Sequence, residues 1–305
     1  MGPADAAAPF ETHGRILCGT VHTADFAASL ADYTGPLGLR IVEQGVVAPA
    51  LAAAWGAPGH AGRRWALLNG GGRPGYIRLV EGEATAPAPM TTHGWAAFEI
   101  TVRDVHALHA RLAGSAFTVI GPPGQVGDFT TFIPFQVAGR AGEVLYLNQV
   151  LTEGAGMINL PFATADVDHI FITVLGAPDR AAALAFHRAL GFGEAETYTF
   201  PIGVVNRANG LSADHPTTLT MTCAGSLPAS EIDQFPPAAT PRAVAPGFLP
   251  PANAMVSFAV TALPEGRTDW LGAPAHLPGP LYRGRRSACL RGTAGEIIEL
   301  VELGA

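Results

Sequence analysis

Val167-Asp168-His169-Ile170-Phe171-Ile172-Thr173-Val174, followed by Ala185-Phe186-His187-Arg188-Ala189-Leu190-Gly191-Phe192, is the stretch that decides the fold. The first run is apolar and rich in β-branched residues, which favours a strand. Pro178 to Leu190 is rich in Ala, Leu and Arg, which favours a helix, and Gly191 stops it. Strand-like runs follow at Glu194 to Phe200 and Thr217 to Cys223, so the unit reads as strand, helix, further strands.

Working outward, the same unit recurs three more times. Ile16 to His22, Phe26 to Tyr33 and Leu37-Gly38-Leu39 repeat its strand, helix and helix stop. Strands at Ile41 to Val47, Arg64 to Leu68 and Tyr76 to Glu81 complete that copy, with an Ala-rich helical piece, Ala48 to Trp55, where the first-read copy has Ile202 to Leu211. A shorter copy runs from Trp95 to Val102 through Asp104 to Leu112, with Asp104 placed as a helix N-cap, to strands at Phe117 to Gly121, Ile133 to Val137 and Val144 to Val150. The last copy starts at Met255 to Thr261, passes a Pro-interrupted stretch and ends in Ser287 to Arg291 and Glu296 to Val301.

The expected class is therefore α+β, built from four βαβββ modules at about 14–82, 92–151, 166–224 and 253–303. Paired in chain order, they predict an N-terminal domain over 13–152 and a C-terminal domain over 165–305, with a linker at 153–164 and a Pro-rich insertion at 226–253. The chain of 305 residues is long enough for two such cores.

A net charge of -7 with scattered arginines argues against a nucleic-acid partner. No run reaches the ~18 apolar residues of a membrane-spanning helix. Met1 to Glu11 lacks the basic and apolar regions of an export signal, and three cysteines far apart make no disulfide framework, so a cytoplasmic location is expected. Neither a phosphate-cradling glycine loop, nor a His-Glu-x-x-His helix, nor a Gly-x-Ser-x-Gly elbow is present.

Asp168-His169-Ile170 opening a strand, Ala185 to Phe192 closing a helix and Gly295-Glu296-Ile297-Ile298-Glu299-Leu300 as a final strand together resemble the vicinal oxygen chelate superfamily, the group of glyoxalases, bleomycin resistance proteins and extradiol dioxygenases. Val102 to Leu108 followed by Gly121-Pro122-Pro123 is similar to the second module of such domains. The resemblance implies modules joined in pairs, with curved mixed sheets around a cavity. It also implies a divalent metal held by the opening residue of each first strand and a central residue of each last strand.

Carried onto this chain, that pattern points to His169 and Glu299 as catalytic groups and metal ligands in the C-terminal cavity. Imidazole and carboxylate suit iron, manganese, zinc or nickel. Met255 and Thr220 stand where further ligands belong, so a loop residue such as His215 or His276 completes the set, or the site is metal-free. In the N-terminal half Ile16, Arg78, Trp95 and Tyr146 occupy the corresponding positions; Arg78 there is either an anion holder or half of an internal ion pair. Trp95, Tyr146, Thr220, Met255, Phe171 and Arg78 are the expected substrate-contacting residues.

Two functions follow. One is an enzyme of dioxygenase, isomerase or lyase type acting on a small oxygenated organic molecule, Glu299 serving as base and His169 as acid if no metal binds. The other is a non-catalytic protein that sequesters a small molecule. Either is compatible with a monomer or a homodimer.

Overall fold

A computed structural model describes residues 12–71, 73–125, 130–152 and 160–303. The first module contains β1 (Ile16–Thr23), α1 (Phe26–Thr34), β2 (Arg40–Val46), α2 (Pro49–Ala54), β3 (Arg64–Asn69) and β4 (Tyr76–Glu81). The second contains β5 (Gly94–Val102), α3 (Val105–Leu112), β6 (Thr118–Gly121), β7 (Phe132–Ala138) and β8 (Val144–Val150). The third runs β9 (Val167–Ala177), α4 (Arg180–Ala189), β10 (Gly193–Pro201), α5 (Gly203–Ala208), β11 (Pro216–Ala224) and β12 (Leu227–Gln234). The fourth holds β13 (Ala252–Val260), β14 (Ala275–His276), α6 (Gly279–Tyr282), β15 (Arg286–Arg291) and β16 (Ile297–Glu302).

Local chemistry sets the helix ends. Asp25, Asp104 and Asp179 each accept a backbone N–H of the first turn of α1, α3 and α4. Gly38 and Gly191, at φ +73° and +95°, supply the left-handed turn after the helices of modules one and three. The fourth module has no long helix: its Pro-interrupted stretch forms only β14 and the single turn of α6.

The strands make two eight-stranded sheets, in the orders β14-β15-β16-β13-β1-β4-β3-β2 and β10-β11-β12-β9-β5-β8-β7-β6. Within each module the first and last strands run parallel, and modules join through antiparallel first strands, β1 to β13 and β5 to β9. Module one thus pairs with module four, and module two with module three. This differs from the pairing in chain order that the sequence predicts, so neither sheet is bounded by 13–152 or by 165–305. The four modules expose equivalent first-strand edges, and the repeat pattern alone does not say which two edges meet.

One apolar cluster, including Phe26, Leu79, Phe98, Leu147, Ile170 and Ile298, draws on both sheets and three helices, so the sheets share a core on their outer faces. They approach closely at Gly19, where a Cβ would lie 2.6 Å from Ile170 Cδ1 and 2.7 Å from Phe98 Cε2, so a side chain there would displace those core side chains. The stretch expected as an insertion holds β12, the last strand of module three; Pro228 near its start and the prolines after it hide the strand pattern. Much of the expected linker, 153–159, lies outside the described residues. No helix among the described residues is long and apolar enough to cross a membrane.

Candidate functional site

The strand register identifies equivalent positions on the inner faces of the two sheets. First-strand and last-strand residues pair as Thr20 with Arg78 and Ser257 with Glu299 in the first sheet, and as Glu99 with Tyr146 and Val174 with Glu231 in the second. The two faces are thus built alike and filled differently.

On the first sheet, Arg78 and Glu299 form a fully buried ion pair, Nη2 to Oε2 3.1 Å, with both side chains 1% exposed. Arg78 also donates from Nε to Thr20 Oγ1 (2.9 Å) and from Nη1 to the Tyr282 hydroxyl (2.6 Å), and its guanidinium lies 4.6 Å from the Trp55 ring centroid. Glu299 accepts from Ser257 Oγ (2.5 Å), Tyr282 OH (2.8 Å), Trp55 Nε1 (3.1 Å) and Ser287 Oγ (3.3 Å). Trp55 after α2 and Tyr282 at the end of α6 fill the concavity, with Leu277 and Leu281 beside them. Of the two roles open to Arg78, the internal ion pair is the one realised. Each nitrogen of Arg78 donates and each carboxylate oxygen of Glu299 accepts, as a stable buried pair requires.

The second sheet holds carboxyls without such a cation. Glu99 and Asp233 are buried, and Glu231 is half-buried. Asn148 Nδ2 donates to Glu99 Oε2 at 2.5 Å. Among the described residues the Tyr146 hydroxyl and Asn148 Oδ1 are buried with no hydrogen-bond partner, and Asp233 bonds Glu231 only when one of the two carboxyls holds a proton. Burial first and Glu231 second push Glu99 well above the ordinary carboxylate range. Burial raises Glu231 to about 7, and burial with the Glu231 and Glu99 charges raises Asp233. Glu231 therefore exchanges a proton near neutrality, and Glu99 and Asp233 hold theirs well above the ordinary carboxylate range.

Around the cluster, Leu219 and Met221 share the face of Asp233 and Glu231 by register and pack with Phe171 and Ile172 into an apolar wall. Half-buried Tyr198 and Phe200 of β10 continue that wall toward solvent. On the other side, Val204 and Val205 of α5 pack with Val174, Tyr146 and Phe235.

The residues expected to act together are divided. His169 is in β9 of the second sheet and Glu299 in β16 of the first, so no single concave face carries both, and Arg78 neutralises Glu299. His169 is buried, with Nδ1 3.1 Å from Asp168 Oδ1 and 3.5 Å from Thr101 Oγ1, two residues from Glu99. Tyr146 and Phe171 do border the second face. Trp95 points into the shared core, its indole donating to Ile297 O (2.8 Å). Thr220 bonds Arg180 at the start of α4 and so faces the helix side. Met255 is packed in the first concavity, where Cys289 Sγ lies 3.7 Å from its sulfur.

Sequence reasoning missed Glu231 and Asp233 because their strand was placed in the insertion. The signal was the acidic residue alternating with Ile232 in Ser230-Glu231-Ile232-Asp233, which matches Ile298-Glu299 in the last module. Glu99 is not among the site residues expected from the sequence. Among the described residues, no group of three His, Cys, Asp or Glu side chains converges as a metal ion needs, so the residues present do not fit the divalent metal that the resemblance implies.

Residues 16–139 match the family model of the Glyoxalase/Bleomycin resistance protein/Dioxygenase superfamily. The chain carries a domain of that superfamily. Its fold extends over the whole length. Glyoxalase I from Zea mays aligns with a TM-score of 0.60 at 15% identity, covering 94% of this chain and 92% of the maize chain. A candidate dioxygenase from Bacillus subtilis strain 168 aligns at 0.58 and 12% identity, covering 97% and 87%. TnmS3, an antibiotic binding protein from Streptomyces sp. CB03234, is 20% identical over 44% of this chain and 94% of its own, with a TM-score of 0.31. Comparison with curated proteins finds no match. At these identities the structural likeness establishes the glyoxalase fold and leaves the chemistry to the site.

Proposed function

We propose that this glyoxalase-fold chain acts on a small oxygenated organic molecule at the concave face of its second sheet, as an isomerase or lyase that moves a proton without a metal. The observation that supports this reading is the grouping of Glu99, Glu231 and Asp233 around the unpartnered Tyr146 hydroxyl, with no basic side chain among the groups shifting their protonation. Glu231, half-buried and poised at about 7, is the proton carrier: it takes a proton from a carbon acid and returns it to a neighbouring atom. Tyr146 donates to the substrate oxygen on which charge develops, and Phe171, Leu219 and Met221 hold its apolar part. Burial keeps the proton affinity of Glu231 high, and Asp233 acts through Glu231 by a hydrogen bond that tempers that rise.

The same face would serve the alternative, sequestration without turnover, and one pair of measurements separates the two. A screen of small carbonyl and hydroxy compounds by ligand-detected NMR finds a ligand, and Glu231→Gln is then compared with the parent. Retained binding with loss of conversion supports the enzyme. Binding with no conversion by either protein supports sequestration, and a ligand indifferent to both Glu231→Gln and Tyr146→Phe would place function elsewhere. Metal analysis of the purified protein is expected to give no stoichiometric metal.

A further inference from the structure

A separate cavity of about 210 Å³ lies where the two sheets cross, beside β5 and β13, and among its lining residues are Arg242, Arg291, His93, Trp95, Val244 and Glu296. Arg242 ties the crossing together: it donates from Nε to Thr92 Oγ1 (2.9 Å), from Nη1 to Pro251 O (3.2 Å) and Asn253 O (2.9 Å), and from Nη2 to Trp95 O (3.0 Å). These acceptors are all neutral. Neither Arg242 nor Arg291 makes an ion pair among the described residues. Burial is the influence acting on Arg242, drawing it down to about 10, and no carboxylate offsets it.

The one carboxyl lining this cavity, Glu296, is itself buried and directed elsewhere. Its Oε2 accepts from Ala294 N at 2.8 Å and its Oε1 lies 3.8 Å from His187 Nε2 in the core. Arg291 is exposed and commits only Nη1, to Gly295 O (3.3 Å), leaving most of its guanidinium donors available. Arg78 in the first sheet shows the contrast: a buried guanidinium there has a carboxylate at 3.1 Å. A guanidinium half-withdrawn from water in a small cavity, with a second guanidinium at the rim, is short of one negative charge.

We infer that this cavity binds a small oxyanion, a carboxylate or a phosphate, between the guanidinium groups of Arg242 and Arg291. The fit is chemical: Arg291 presents paired donors to a two-oxygen acceptor, Arg242 adds its charge and its remaining Nη2 hydrogen, and the volume admits a small anion. This site is independent of the proton-transfer face and does not rest on it.

The test titrates the intact 305-residue protein separately with acetate and with inorganic phosphate, at constant ionic strength set with chloride, following binding by calorimetry and the shift in Tm. Saturable binding of either anion is expected, the tighter one naming the class. Arg291→Gln, at the rim, should weaken it about tenfold while leaving the unfolding transition without anion unchanged. Val244→Glu, which puts a carboxylate at the mouth, should weaken it by a similar factor. Arg242→Lys is informative where it folds, but the inference does not depend on it. Absence of saturable binding, or equal stabilisation of the parent and Arg291→Gln, as general salt exclusion would give, overturns the assignment.

Discussion

The two inner faces come from the same module and differ in what the charges at matching positions meet. In the first sheet Arg78 and Glu299 sit on the last strands of paired modules and neutralise each other, with Thr20, Ser257, Tyr282 and Trp55 taking their remaining bonds. In the second sheet the same two positions hold Tyr146 and Glu231, and the neighbouring Glu99 and Asp233 add acid where the first sheet has Thr20 and Val301. One concavity has been closed into a core. The other keeps charge that folding does not need, and stability given up in this way is the mark of a site shaped for something other than itself.

This contrast predicts mutational effects of opposite sign. Glu299→Ala leaves the Arg78 charge buried without a partner, and urea unfolding at pH 8 should show a loss of about 3–5 kcal/mol. Replacing both, Arg78→Met with Glu299→Leu, should recover most of that loss; a double variant as unstable as the single one would break the view that the pair is self-contained. Glu231→Gln should instead raise stability at pH 8, by roughly 1 kcal/mol after allowing for solvent screening at a half-buried group.

The pH dependence sharpens the same point. A carboxyl raised in the folded state, here from 4.5 to about 7, adds stability that is complete below its unfolded value and is lost as pH climbs through the folded one. The parent protein should therefore lose stability between about pH 4.5 and 7, with a shallower slope in Glu231→Gln. Equal slopes would mean that Glu231 titrates as an ordinary surface group. The smallest effect belongs to Tyr146→Phe. Removing a buried hydroxyl with no partner should change stability by less than about 1 kcal/mol, while weakening any ligand found by the screen.

The fold was legible because it is written four times. Strand alternation, the N-cap aspartates at 25, 104 and 179 and the glycines at 38 and 191 each have a local cause, and each recurs. Which modules pair was not legible: it is a matter of long-range strand edges, β1 against β13 and β5 against β9, that four like modules could join in other combinations. The site suffered from the same gap. Glu299 was correctly placed facing inward, but the residue opposite it is Arg78 rather than His169, a consequence of module pairing. Trp95 turns to the core because a register shift between Trp95 and Ala97 breaks the alternation that would have put it on the face of Glu99. Glu231 was lost with its whole strand, since Pro228 interrupts the pattern that would have revealed it.

The most direct measurement is a carboxyl-carbon NMR titration of Glu231 in the intact protein. A midpoint near 7 that rises when Asp233 is replaced by Ala, which removes the hydrogen bond that lowers it, is what a buried cluster without a cation predicts. A midpoint in the ordinary range near 4.5, unmoved by Asp233→Ala, would show that the second face is as well balanced as the first and would leave it without the chemistry assigned to it.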